Sequence, residues 1–187
     1  MGRSEAAISN IRQAVELDPL SIVAHHEVGA CYYFARRFDD ATRQLEKVRE
    51  MDPDFVHGRI LLGHAYSASG RHAEAMSEFR QAAELSGNSA FTLPLLAYGH
   101  ARLGQREEAD RVMEELSRRE ATGEYVPSYP VAVALAALDK RAALARLATA
   151  HERREWLLIN LKVDASVDPL RGEPGFLVLL RKMRLDR

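Results

Sequence analysis

Apolar residues recur along this chain with two superposed periods, a short one of three and four residues and a long one of 34. Ala7, Ala41, Ala75, Ala109 and Ala143 form the long ladder. Four positions after each comes a large apolar residue: Ile11, Leu45, Phe79, Met113 and Leu147. Three positions later stands another: Ala14, Val48, Ala82, Leu116 and Ala150. Steps of four and three put all three on one stripe of an α-helix. A small, large and medium stripe repeated five times predicts five equivalent helices. A fixed period of this length predicts stacked helix pairs, because no single unit can bury its own apolar face.

The segment between ladder positions supplies the rest of each pair. After Ser21, an N-cap residue, Val28, Tyr32 and Ala35 predict a first helix. Arg36-Arg37 breaks it. A second helix starts near Asp39-Asp40, whose carboxylates suit a helix N-terminus. Asp52-Pro53 ends that helix, since the residue before proline avoids the helical region, and Leu17-Asp18-Pro19 does the same one period earlier. The next unit repeats the order with Leu62-Gly63-His64-Ala65-Tyr66, Gly70, Ala75 and Phe79. Another follows with Leu96-Ala97, Gly104, Ala109 and Met113. Gly29 and Gly63 predict close approach of the alanine-bearing helix at those points.

On these residues the chain resembles tetratricopeptide-repeat proteins across most of residues 4–153. The pattern of small residue, aromatic, alanine and terminal proline falls on Gly29, Tyr32, Ala41 and Pro53, then on Gly63, Tyr66 and Ala75. The third copy has His100 at the aromatic position, and the fourth has Pro130 inside its expected first helix. The fourth unit is therefore expected to be irregular around Tyr125 to Pro130. The resemblance implies an all-α, right-handed superhelical solenoid of antiparallel helix pairs. The array would occupy residues 1–153, with a half-repeat at 4–19 and repeats at about 22–55, 56–89, 90–123 and 124–153. Because the chain opens on a second helix, it is expected to be the C-terminal part of a longer protein.

Residues 154–187 are expected to cap the array. Asp168-Pro169 and Glu173-Pro174 are turn and helix-start signals, and Phe176, Leu177, Leu180 and Met183 predict a closing amphipathic helix. Lys162-Val163-Asp164 and Asp168-Pro169-Leu170-Arg171 are similar to the tail that follows the repeats in bacterial multidomain regulators. Those proteins carry winged-helix, adenylate-cyclase-like or serine/threonine-kinase domains. The resemblance implies a regulatory or interaction module.

Composition narrows the function classes. Of 187 residues 47% are hydrophobic but only 7% aromatic, which suits a core of alanine and leucine. The net charge of −1 argues against direct nucleic-acid binding. The part from Arg118 onward is net positive and the part before it net negative, a mild asymmetry that fits solvated surface. The lone Cys31 excludes an internal disulfide and, flanked by Tyr32, Tyr33 and Phe34, reads as an inert thiol in a reducing, cytoplasmic compartment. The longest apolar run, Val131 to Leu138, is too short to span a membrane.

Catalytic patterns fail on inspection. His26-Glu27 opens like a zinc-protease motif, but Ala30 stands where the second histidine belongs; His151-Glu152 fails at Glu155. No phosphate-binding glycine loop or nucleophile elbow is present. The chain thus reads as a non-enzyme without cofactor. The resemblance implies instead a groove lined by first helices. Its register places Val23, His26, Ala30 and Tyr33 there, then His57, Ile60, His64 and Ser67, then Phe91, Pro94, Tyr98 and Arg102. The lysines and asparagines that grip a C-terminal carboxylate in one subclass are absent from these positions. From this lining we expect an apolar or aromatic peptide or helix as partner, contacted by His26, Tyr33, His57, His64, Phe91, Tyr98 and Arg102. Two alternatives stand beside it. One is a self-associating array, a homodimer through the open N-terminal face. The other is a metal or small-molecule sensor built on His26, His57, His64 and His100.

Overall fold

The computed structural model describes residues 2–186, with side chains from Glu5 onward. The chain divides into two compact units, Met1–Leu85 and Ser86–Arg187. All regular structure among the described residues is helical.

The first unit contains α1 (Gly2–Leu17), α2 (Ile22–Phe34), α3 (Phe38–Met51), α4 (Val56–Ala68) and α5 (His72–Leu85). Ser21 caps α2, its hydroxyl accepting from the Ala24 amide at 3.3 Å. Asp39 and Asp40 sit in the first turn of α3, where the helix dipole favours them. Helix α2 packs on α3 and α4 on α5. The stripe Ala41, Leu45 and Val48 has no exposed surface, and Ala75, Phe79 and Ala82 are equally buried. Two glycines make this approach possible. A Cβ at Gly29 would lie 2.6 Å from Leu45 Cγ, and one at Gly63 would lie 2.4 Å from Phe79 Cε1.

The turns inside the pairs are as periodic as the stripes. Arg36 (φ 62°) and Gly70 (φ 80°) are left-handed residues that end α2 and α4. At each turn the next amide reaches back: Arg37 N–H donates to Tyr32 O and Arg71 N–H to Tyr66 O, both at 2.9 Å. The same two residues pair through their side chains. The Arg37 guanidinium lies 4.7 Å from the Tyr32 ring centre, and that of Arg71 lies 4.2 Å from the Tyr66 ring. A buried carboxylate ties three helices together, since Glu78 on α5 accepts from Arg49 on α3 (2.6 Å) and Arg59 on α4 (2.8 Å).

The second unit contains α6 (Leu93–Arg102), α7 (Arg106–Ala121), α8 (Ser128–Leu135), α9 (Lys140–Glu152), two 3-10 helices (Trp156–Asn160 and Ala165–Leu170) and α10 (Pro174–Lys182). Leu93, Leu116, Val126 and Val131 form its buried cluster. Gly104 (φ 73°) repeats the left-handed turn. Here His100 replaces the aromatic residue and Gln105 the arginine, and their side chains hydrogen-bond at 2.7 Å. Both members of the stacked pair have changed, and the link between them persists.

Helix α8 is only eight residues long, and residues 124–127 ahead of it are not helical. Pro127 biases Val126 toward extended backbone, and Pro130 sits at the third helical position, where a missing N–H leaves no helical bond unmade. The amides exposed at this helix start are met from a distance. Glu155, just after α9, accepts from Ser128 N at 2.8 Å and Tyr129 N at 2.9 Å.

Candidate binding surface

The residues singled out by register occupy different depths. In the first unit Val23 is 61% exposed and His57 is exposed, while His26 and His64 are half-buried. The His26 ring meets Phe55 edge-on at 5.5 Å, and His57 lies 5.9 Å from the same Phe55 ring. Phe55, the N-cap of α4, is thus the shared wall of a small aromatic shelf. Sequence reasoning passed over it, although a phenylalanine in an otherwise polar link after Asp52-Pro53 was a usable signal.

Tyr33 is 2% exposed and lies among Phe34 (5.3 Å), Phe38 (5.8 Å) and His64 (6.4 Å). His64 also meets Phe79 at 5.2 Å. Tyr33 thus belongs to the interior of the first unit, and His64 packs between it and Phe79. In the second unit Tyr98 is buried and Phe91 half-buried. Arg102 is half-buried, and its Nε finds no hydrogen-bond acceptor among the described residues.

The electrostatics are those of a surface, with one tuned histidine. Burial lowers the pKa of His26 below 6.5, and the Glu27 carboxylate 3.2 Å from Nδ1 opposes that shift. His25, its neighbour, is a core residue: Nε2 donates to Pro19 O at 3.0 Å and Nδ1 accepts from Gln44 at 2.7 Å. Tyr66 is pushed up to about 12 by burial and by its hydrogen bond to Glu46. Cys31 is half-buried, and burial followed by the charge of Glu27 raises its thiol. A thiol held protonated is a poor nucleophile. Among the described residues no three His, Cys, Asp or Glu side chains are placed to hold a metal ion. No helix among them is long and apolar enough to cross a membrane.

Two further concavities lie in the second unit. A groove of about 900 Å³ between α7 and α9 is lined by Met113, Leu135, Ala142 and Ala145, with Glu114 and Arg118 among its polar residues. A smaller one of about 600 Å³ lies beside Trp156, Ile159 and Met183.

Helix pairs at a fixed period, with small residues at the crossing points and aromatic side chains on the first helices, define a helical-repeat fold. The repeat at residues 35–90 matches the sequence profile of the tetratricopeptide repeat, and the fold resembles that of solved tetratricopeptide-repeat proteins. It is 24% identical over 86 residues to small glutamine-rich tetratricopeptide repeat-containing protein 2 of Saccharomyces cerevisiae, covering 46% of this chain and 25% of that protein. It is 29% identical over 90 residues to the anaphase-promoting complex subunit cut9 of Schizosaccharomyces pombe, covering 48% of this chain and 13% of that protein. The chain thus spans about a quarter or less of the curated relatives it matches. Among solved structures it resembles a thermophilic TPR protein of Thermus thermophilus, with TM-score 0.64, 19% identity and coverage of 89% of this chain and 91% of that one. It also resembles the Cut9–Hcn1 hetero-tetramer of the APC/C, with TM-score 0.62, 19% identity and coverage of 97% and 36%.

Proposed function

We propose that this chain is a non-catalytic protein-interaction module whose first helices receive an apolar or aromatic peptide or helix. The observation that carries this is the shelf of Val23, His26, Phe55 and His57 in the first unit. It combines solvent-reaching apolar surface with ring nitrogens able to orient a peptide. Phe91 and Arg102 offer the same mixture in the second unit. Tyr33 and Tyr98 belong to the site as supports, holding first-helix positions without meeting the partner. Supporting analogy comes from cut9, which the Cut9–Hcn1 structure shows in a hetero-complex. The tail elements around Asp164 and Arg171, similar to those of bacterial multidomain regulators, favour a regulatory or scaffold role within a larger cytoplasmic protein of bacterial origin.

The test is partner capture from source-cell lysate on immobilised protein, compared with a Val23→Asp/His57→Asp variant of matching helicity. Both positions are exposed, so the fold should survive. The proposal expects at least one partner held by the wild type and lost by the variant. Identical partner sets on both would overturn the surface assignment.

A further inference from the structure

The shelf around Phe55 has a charge pattern as well as an apolar surface, and that pattern selects among peptides. Its walls are α2, α4 and the link before each, residues 18–34 and 52–68. These stretches hold four acidic residues, Asp18, Glu27, Asp52 and Asp54, and one Lys or Arg, which is Arg59. That cation is committed inside the unit. Its side chain is 13% exposed, with Nε donating to Pro53 O at 2.6 Å and Nη1 to Glu78 at 2.8 Å. The acids are held more lightly. Asp18 and Asp52 each accept one backbone amide, from Leu20 at 3.2 Å and from Asp54 at 2.9 Å. The Glu27 side chain is 51% exposed, and Asp54 is exposed. Among the described residues neither pairs with a lysine or arginine.

These charges stand beside the rings that a peptide would cover. Glu27 Oε1 lies 3.2 Å from His26 Nδ1, and the His26 ring meets Phe55 at 5.5 Å. Asp54 directly precedes Phe55 in the chain. A segment lying over His26 and Phe55 therefore strips water from a carboxylate, which is costly unless a cation replaces that water. Burial lowers the pKa of His26, so this histidine does not supply the charge at neutral pH. An acidic segment meets like charge here, and an uncharged one leaves Glu27 unmatched. The Phe55 ring adds to the preference, because an aromatic face attracts Lys and Arg side chains. We infer that the shelf takes a cationic segment of a partner protein, with a large apolar or aromatic residue against Phe55 and a lysine or arginine paired with Glu27 or Asp54. This rests on the reading of the shelf as a peptide receptor and names the chemistry of its occupant.

The test begins with a phage-displayed library of random short peptides, panned on the immobilised chain and on a Phe55→Ser/His57→Ser variant of matching helicity. That variant removes the rings without adding charge, and serine already caps α2 at the corresponding position, Ser21. Peptides retained by the wild type alone should pair a large apolar residue with a nearby Lys or Arg. Uncharged or acidic peptides in that set would overturn the cationic assignment and leave the shelf a receptor. An empty set would overturn the receptor reading and this inference together. The best-retained peptide is then labelled with fluorescein and titrated by anisotropy. Glu27→Lys/Asp54→Lys should weaken it roughly tenfold at low salt, with a smaller loss as salt rises. Glu27→Gln, which keeps an oxygen for His26 Nδ1, should fall between the two. The same charge change placed on α7, Glu107→Lys/Glu114→Lys, should bind as the wild type does. Equal weakening by both lysine pairs would overturn the site, since net charge alone would then explain it. Unaltered binding in Glu27→Lys/Asp54→Lys would do the same. A wild-type dimer dispersed by that variant in sedimentation equilibrium would overturn it in favour of a second copy.

Discussion

A methyl group added at Gly63 would meet Phe79 Cε1 at 2.4 Å, inside any tolerable contact. Gly63→Ala should therefore push α4 and α5 apart and cost about 1–3 kcal/mol, measurable as a lower midpoint in urea denaturation. Unchanged stability would mean that the Phe79 ring swings aside without loss. The role of Gly63 was legible because a small residue opposite a large one recurs with the period. Tyr33 was harder. Register assigns it to the lining, but whether a ring on a helix reaches solvent depends on neighbours from other segments, here Phe38 and His64. At 2% exposure, Tyr33→Ala would remove a core ring, so lost binding in that variant would report damage to the fold. His26 gives a residue-scale pH dependence. Burial holds its folded pKa below 6.5, so the folded state binds its proton less readily than the unfolded chain. The stability tied to neutral His26 is present above about 6.5 and lost as pH falls through the lowered folded value. Thermal melts from pH 7 to pH 5 should show a decline that His26→Gln makes shallower. Parallel curves would remove His26 as a cause.

At the scale of elements, the helix order followed from pattern alone, whereas the start of α8 did not. Residue spacing pointed to disturbance near Pro130, but the compensation comes from Glu155, 27 positions from Ser128 and noticed in the sequence only as the place where a metal-binding histidine would stand. Local pattern cannot see a cap supplied from the far side of a helix pair. Glu155 accepts two amides and the Tyr125 hydroxyl at 3.3 Å, so Glu155→Ala should destabilise the second unit by about 1–2 kcal/mol, the usual range for a lost cap. The amides of Ser128 and Tyr129 should also exchange faster with deuterium. Retained protection at both would show that solvent substitutes for the carboxylate. A second long-range tie joins α7 to α9, where both Glu120 oxygens accept from Arg146 at 2.9 and 2.6 Å. That hydrogen-bonded arginine lowers the pKa of Glu120, so this link is present above about 4.5 and fades as the carboxylate protonates.

Across the whole chain, repetition made the array readable and its absence left the tail opaque. Residues 154–187 offer no second copy to compare, and their motifs could be matched by resemblance without revealing what they do. The structure gives those motifs an internal reason. Asp164 accepts from the Tyr129 hydroxyl at 2.8 Å and from the Ser166 amide at 2.8 Å, fixing the tail to α8. Arg171 then closes the segment on itself, donating to Lys162 O at 2.8 Å, Asp164 O at 3.0 Å and the Asp168 carboxylate at 2.5 Å. Three acceptors in three directions need the planar fork of a guanidinium; a lysine carries the charge but cannot span them. Arg171→Lys should therefore destabilise the second unit by about 1–3 kcal/mol, the range for charged hydrogen bonds lost in a partly buried setting. In a repeat array, stability is transmitted mainly between neighbouring units. Hydrogen exchange should accordingly rise in the tail, α8 and α9, while α2 and α3 keep their protection. A lysine variant as stable as the parent would show that charge alone holds the tail. The resemblance of these residues to those of bacterial regulators would then need a cause outside the fold.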